Sequence, residues 1–92
     1  MVEIKFFNIE KAKELGIENW TPFERMGPAT IDWTAEEQEA AYIMEGETSI
    51  IINDTKIDLR PGNMVLFPKS TTCTWITPQY YKKVYINDFY LA

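Results

Sequence analysis

The sequence predicts an all-β domain, a sandwich or barrel of short antiparallel strands carrying one short helix near its N-terminus. Three observations lead there. Ninety-two residues make a single domain, with 46% hydrophobic and 14% aromatic residues to fill its interior, so neither a two-domain nor a disordered reading stands. From Trp20 onward the chain breaks into brief apolar or alternating runs divided by Pro, Gly, Asn and Asp, the texture of antiparallel β structure. The residues at those breaks are also the ones tight turns require.

Residues 3 to 9 alternate weakly and read as a strand. Asn8 is placed to cap a helix over Ile9 to Leu15, and Gly16 supplies the left-handed position that ends it. Strands are then expected near 23 to 26, 29 to 34, 39 to 45, 47 to 53, 56 to 59, 64 to 67, 72 to 77 and 81 to 90. Glu45-Gly46 divides two apolar runs and Asn53-Asp54-Thr55 forms a polar corner. Arg60-Pro61-Gly62-Asn63 has the Pro and Gly of a type II turn. No internal repeat, linker or low-complexity tract interrupts the series. Glu36, Glu37 and Glu39 make a small acidic cluster before a strand.

Composition narrows the function classes. Fourteen acidic residues against nine basic ones give a net charge of -5, which opposes binding to phosphate backbones and anionic lipid. Neither nucleic acid nor a membrane surface is an expected partner. Histidine is absent, so a general base or metal ligand has to come from elsewhere. The single cysteine, Cys73, forms no intramolecular disulfide. Without a basic, apolar leader at Met1 to Phe7, it fits a reducing cytoplasm.

Two segments carry recognisable spacing. In Glu39-Ala40-Ala41-Tyr42-Ile43-Met44-Glu45-Gly46 a carboxylate stands seven positions before a turn glycine. In the second, Gly62, Pro68 and Cys73 follow one another at steps of six and five, and 15 residues separate the two segments. Together they resemble the two cupin motifs, G-x5-H-x-H-x3-4-E-x6-G and G-x5-P-x-G-x2-H-x3-N. The nearer resemblance is to the short single-domain members of the third cupin family, the DUF861 group. It rests on Asp32-Trp33, on Glu39 with Tyr42 to Gly46, on Gly62 to Lys69, on Cys73-Thr74-Trp75 and on Lys82-Lys83-Val84-Tyr85. It spans roughly residues 20 to 86. The resemblance implies a double-stranded β-helix, the jelly-roll barrel of the RmlC-like cupins, with residues 1–92 as one domain, motif regions at 32–46 and 62–77, and a homodimer.

The departures from that pattern bear on chemistry. Metal-bearing cupins hold one divalent ion between two His and a Glu of the first motif and a His of the second. Here Glu39 keeps the Glu slot and Cys73 takes the second-motif His slot. The H-x-H pair falls on Asp32 and Thr34 or on Trp33 and Ala35, depending on spacer length, and the glycine after Pro68 is Ser70 and the last slot Thr77. The expectation is therefore no tightly held metal or other cofactor. A bare set of Glu39, Cys73 and Asp32 is the alternative, and three donors are the fewest that hold an ion well.

Alternation puts Cys73, Trp75 and Thr77 on one strand face and Glu39, Ala41 and Ile43 on another. In a cupin barrel those faces point inward. The expected ligand-binding residues are Trp33, Glu39, Cys73, Trp75 and Tyr85, enclosing a small polar or carboxylate-bearing organic molecule. The same aromatics would equally serve as plain core of a small barrel, Cys73 as an inert buried thiol, and Glu39 as a satisfied buried acid or a loop acid at the barrel mouth. Lys83 shares a face with Tyr85, where a lysine would aid acid–base chemistry by the phenol. Adjacent Lys82 and Lys83 also read as charges protecting an edge strand. Two further classes stand beside the binding domain. One is an enzyme drawing on Glu39, Cys73, Tyr85 and Lys83, either a cofactor-free isomerase or lyase or a metal-dependent hydrolase like ureidoglycine aminohydrolase. The other is a non-catalytic module that dimerises through its N-terminal strand and the apolar tail Phe89-Tyr90-Leu91.

Overall fold

The computed structural model describes residues 2–91. The chain enters through β1 (Glu3–Phe6) and turns into α1 (Ile9–Glu14). The Asn8 side chain accepts a hydrogen bond from the Lys11 amide at 2.9 Å, satisfying one of the amides that a helix start leaves unpaired. Gly16, at φ +92°, ends the helix. A single 3-10 turn, Ile17–Asn19, follows; sequence spacing did not announce it, since three residues are too few to show a period.

Eight more strands complete the chain: β2 (Thr21–Met26), β3 (Ala29–Thr34), β4 (Glu39–Gly46), β5 (Thr48–Ile52), β6 (Thr55–Leu59), β7 (Asn63–Phe67), β8 (Thr72–Thr77) and β9 (Tyr80–Asn87). The two-residue corner between β5 and β6 has both Asn53 (φ 50°) and Asp54 (φ 64°) left-handed, the backbone that matches strand twist in a tight hairpin. At the Arg60 to Asn63 corner the Asn63 amide donates to the Arg60 carbonyl at 3.0 Å. Gly62 is required there twice over, because φ is +98° and a Cβ would collide with the Phe6 ring.

All pairings are antiparallel and build two sheets, β1-β7-β4-β9-β2 and β3-β8-β5-β6. This is the predicted jelly-roll sandwich. Between the sheets lies a core that includes Ile43, Ile50, Leu59, Val65, Phe67 and Trp75. Each such side chain contributes on the order of 1.5–3 kcal/mol by leaving water. A second cluster lies on the outer face of the larger sheet, where Ala12, Ile17 and Trp20 cover Ala40, Tyr42, Met64, Leu66 and Val84. Strand β4 is thus buried on both faces, which explains its nearly unbroken apolar sequence.

Two expectations are corrected here. The last strand ends at Asn87, not at residue 90. Gln38 accepts the Asp88 amide on its carbonyl (2.8 Å) and the Phe89 amide on its side chain (2.7 Å). Phe89 then meets Trp20 edge to face at 5.0 Å, so part of the apolar tail is engaged within the fold while Tyr90 is exposed. Nor is β9 an edge strand: it runs between β4 and β2, and Lys83 is buried. The edge-protection reading of the Lys82-Lys83 pair fails, because consecutive strand residues point to opposite faces and Lys83 takes the inward one.

Candidate functional site

Odd-numbered residues of four strands converge between the sheets. Phe23 and Arg25 come from β2, Ile31 and Trp33 from β3, Trp75 and Thr77 from β8, and Tyr81, Lys83 and Tyr85 from β9; Glu39 on β4 completes the lining of a cavity of about 210 Å³. Register sets this arrangement. Phe23 lies opposite Lys83 and Arg25 opposite Tyr81, while Ile31 faces Trp75 and Trp33 faces Cys73. A bulge in β4 between Ile43 and Glu45 ends the inward run of Glu39, Ala41 and Ile43 and re-aims the strand after it.

The walls are aromatic. Trp33 meets Phe67 at 4.9 Å and Trp75 at 6.0 Å, both edge to face, and Trp75 stacks on Tyr81 at 5.6 Å with planes 8° apart. Within this box the Lys83 ammonium lies 4.3 Å from the Trp75 ring centre, 5.3 Å from Phe23, 5.5 Å from Tyr85 and 5.8 Å from Trp33. Aromatic faces attract a cation most strongly where water is excluded. Arg25 lies over Phe23 at 5.2 Å, so both cations border one ring.

The Lys83 Nζ stands 3.6 Å from Glu39 Oε2, an ion pair slightly too long for a hydrogen bond. Lys83 pairs in register with Ile43, four residues along β4 from Glu39, a backbone offset of about 13 Å. The two long side chains span it across the small Ala41 on the same inward face. Both residues are more than nine-tenths buried, and Glu39 Oε2 has no hydrogen-bond donor among the described residues. Burial raises the Glu39 pKa, with the Lys83 charge opposing. Burial likewise lowers the Lys83 pKa, with the Glu39 charge opposing. Burial thus narrows the gap between the two groups' proton affinities, while their mutual attraction favours the ion pair of ammonium and carboxylate.

The sequence-derived residues separate into three groups. Trp33, Glu39, Trp75, Lys83 and Tyr85 line the cavity together. Cys73 is buried in the core beside them but is not among the lining residues. Burial pushes its thiol up to about 11, against the Lys83 charge and with Glu39 adding to the rise, which favours the protonated thiol at neutral pH. Asp32 is exposed and accepts a hydrogen bond from Thr74 at 2.8 Å; it lies on the face of β3 opposite to Trp33. The donors that the cupin resemblance leaves for a metal thus do not converge. Among the described residues no group of three His, Cys, Asp or Glu is placed to hold an ion, and the Glu39 carboxylate already faces an ammonium.

Phe23, Arg25, Ile31 and Tyr81 were not anticipated. The signal for Arg25 was present in the alternation of β2, where an arginine two residues after a phenylalanine shares its face. Nothing local told whether that face was the inner one.

Comparison with known proteins agrees with this architecture. Residues 12–85 match the EutQ-like cupin domain family. A DUF861 family protein of Thermotoga maritima is 32% identical, with a TM-score of 0.84 over 95% of this chain and 99% of its own. The EutQ protein of Clostridium difficile has 24% identity and a TM-score of 0.62 over 96% of this chain and 70% of its own. An acetate kinase EutQ of Clostridioides difficile (strain 630) is 28% identical over 81 residues, which are 88% of this chain. The chain spans about half (49%) of that curated relative's length.

Proposed function

Because the chain belongs to the EutQ-like cupin family, we propose that its barrel is a binding module for a small carboxylate-bearing organic molecule, working without a tightly held metal. One observation carries this reading: a protein of net charge -5 places two cations, Arg25 and Lys83, and a single carboxylate, Glu39, in one aromatic-walled cavity. Glu39 and Lys83 offset each other. Arg25 has no ion-pair partner among the described residues, which leaves one planar, permanently charged fork suited to a carboxylate. A volume of about 210 Å³ suits a molecule of a few heavy atoms, below the usual drug-sized pocket. Acetate comes first among the carboxylates to test, since the curated relative is named an acetate kinase.

The metal-free part of the reading is supported by the donor set: Glu39 paired with Lys83, Cys73 held as a thiol and Asp32 on the outer face. It is tested by elemental analysis of protein purified without an affinity metal. Stoichiometric manganese, iron, nickel or zinc would overturn it. The ligand class is tested by calorimetric titration with acetate, pyruvate and benzoate beside acetamide and benzamide. The acids are expected to bind and the amides not, and Arg25→Gln is expected to weaken the acids by about tenfold or more, the worth of a charge-assisted hydrogen bond. Equal binding of acids and amides would overturn the proposal. The reading also includes a reducing cytoplasm, supported by the single thiol, and a homodimer. The dimer is supported by the open edge of β1, where Phe6 is 68% exposed; a monomer mass by light scattering would remove it. No described helix is long and apolar enough to cross a membrane.

A further inference from the structure

We propose that Lys83 is an amine nucleophile that captures the carbonyl carbon of a small 2-oxo acid as a Schiff base, with Arg25 holding the acid's carboxylate and Glu39 relaying the proton. The inference rests on the carboxylate-binding reading for its ligand, and on the placement of Lys83 for its chemistry. A lysine confined to electrostatics needs no cavity in front of it. Here the Nζ borders an open space of about 210 Å³, and its carboxylate partner retains an oxygen without a hydrogen-bond donor.

The cations lie 5.2 and 5.3 Å from the same Phe23 ring, and both line the one cavity. A 2-oxo acid carries carboxylate and carbonyl on adjacent carbons, and so short a molecule suits a cavity of about 210 Å³ better than a longer chain would. The groups facing Lys83 are Glu39 from β4, Arg25 from β2, Cys73 from β8, and Tyr81 and Tyr85 from β9. Glu39 favours its ammonium form, whereas burial and Arg25 favour the free amine, and burial is the largest effect. Desolvated lysines next to another cation are the ones that act as nucleophiles at neutral pH.

The step balances without an oxidant. The Lys83 ammonium gives a proton to the Glu39 carboxylate, and the freed lone pair forms the C–N bond while the carbonyl π pair moves to oxygen. Glu39 protonates that oxygen, takes a proton back from the nitrogen and returns it to the hydroxyl, which departs as water as the nitrogen lone pair closes the C=N bond. Ammonium plus carbonyl yields iminium plus water, and Glu39 ends as the carboxylate facing the new cation.

The test is reductive trapping of the unmodified protein with pyruvate and sodium cyanoborohydride at neutral pH, the adduct being located by peptide mass spectrometry. Lys83 is expected to carry one reduced pyruvate and to outpace its neighbour Lys82, on the opposite strand face, by about tenfold or more. Label spread over the solvated lysines with Lys83 among the least modified would overturn the proposal. Lys83→Arg keeps a cation against Glu39 and is expected to abolish the adduct. Two further outcomes separate this inference from the reading beneath it. Pyruvate that binds by calorimetry yet leaves Lys83 unlabelled refutes the Schiff base alone. Acetaldehyde that labels Lys83 as fast as pyruvate does, with no binding of carboxylates, supports the amine chemistry and refutes the carboxylate reading.

Discussion

Replacing Glu39 by glutamine leaves the Lys83 ammonium buried without its counter-charge. At the observed 3.6 Å the attraction between unit charges is about 4–5 kcal/mol for an effective dielectric constant near 20. Single deletions of a buried partner typically cost 3–5 kcal/mol. A ceiling exists, because Lys83 escapes by shedding its proton. From an ordinary lysine value of 10.5, that escape costs about 5 kcal/mol at pH 7 and about 2 kcal/mol at pH 9, at 1.36 kcal/mol for each unit. The folded variant then binds fewer protons than the unfolded chain, so its stability rises with pH up to the unfolded value. Lys83→Met is the mirror case. Glu39 escapes by taking a proton, at about 3.4 kcal/mol at pH 7 and about 1.4 kcal/mol at pH 5.5 from an ordinary 4.5. That folded variant binds more protons than its unfolded chain, so its stability falls as pH rises above 4.5. Urea unfolding of the wild type, both single variants and the double variant at pH 5.5, 7 and 9 reads all of this. The Glu39→Gln deficit is expected to shrink in alkali, the Lys83→Met deficit to shrink in acid, and the double variant to recover most of the loss. Deficits below about 1 kcal/mol that ignore pH would refute a buried, mutually dependent pair.

Trp75→Ala is expected to cost about 3–5 kcal/mol in urea unfolding, because this buried ring touches Trp33, Phe67, Tyr81 and Lys83; Trp33→Ala, at a half-buried site, should cost less while weakening any carboxylate seen in the calorimeter. Cys73 is expected to react with a disulfide reagent at pH 8 at least about a hundredfold more slowly in the native protein than in urea, given a pKa near 11 and burial; comparable rates would place the thiol at the surface. Gly62→Ala forces a left-handed alanine against the Phe6 ring and is expected to lower stability by about 1–3 kcal/mol. If Phe6→Ala in that background restores nothing, the ring is not the obstacle.

The fold was legible because each strand break carries its own chemistry. Asn53-Asp54 and Pro61-Gly62 fix two corners with no help from distant residues, and Asn8 with Gly16 brackets the helix. The inward faces of β4 and β8 were legible too, since Glu39-Ala41-Ile43 and Cys73-Trp75-Thr77 repeat with the period of the pleat. What two residues do once they share the interior was not. Lys82 and Lys83 look alike in sequence, and only the pairing of β9 between β4 and β2 turns one outward and the other inward. Arg25 needed the same long-range information. Asp32 shows the converse, a residue adjacent to an inward Trp33 that the pleat turns to solvent. The tail beyond Asn87 escaped prediction because its docking depends on Gln38, fifty-one positions from Phe89.

The stacked pair Trp75 and Tyr81 joins the two sheets, since β8 belongs to the smaller and β9 to the larger. Rings with planes 8° apart slide over each other at little cost but lose their whole contact, about 0.5–1.5 kcal/mol beyond area burial, when pulled apart. At this point of the seam the pair therefore opposes a gaping of the sheets more than a shear of one along the other.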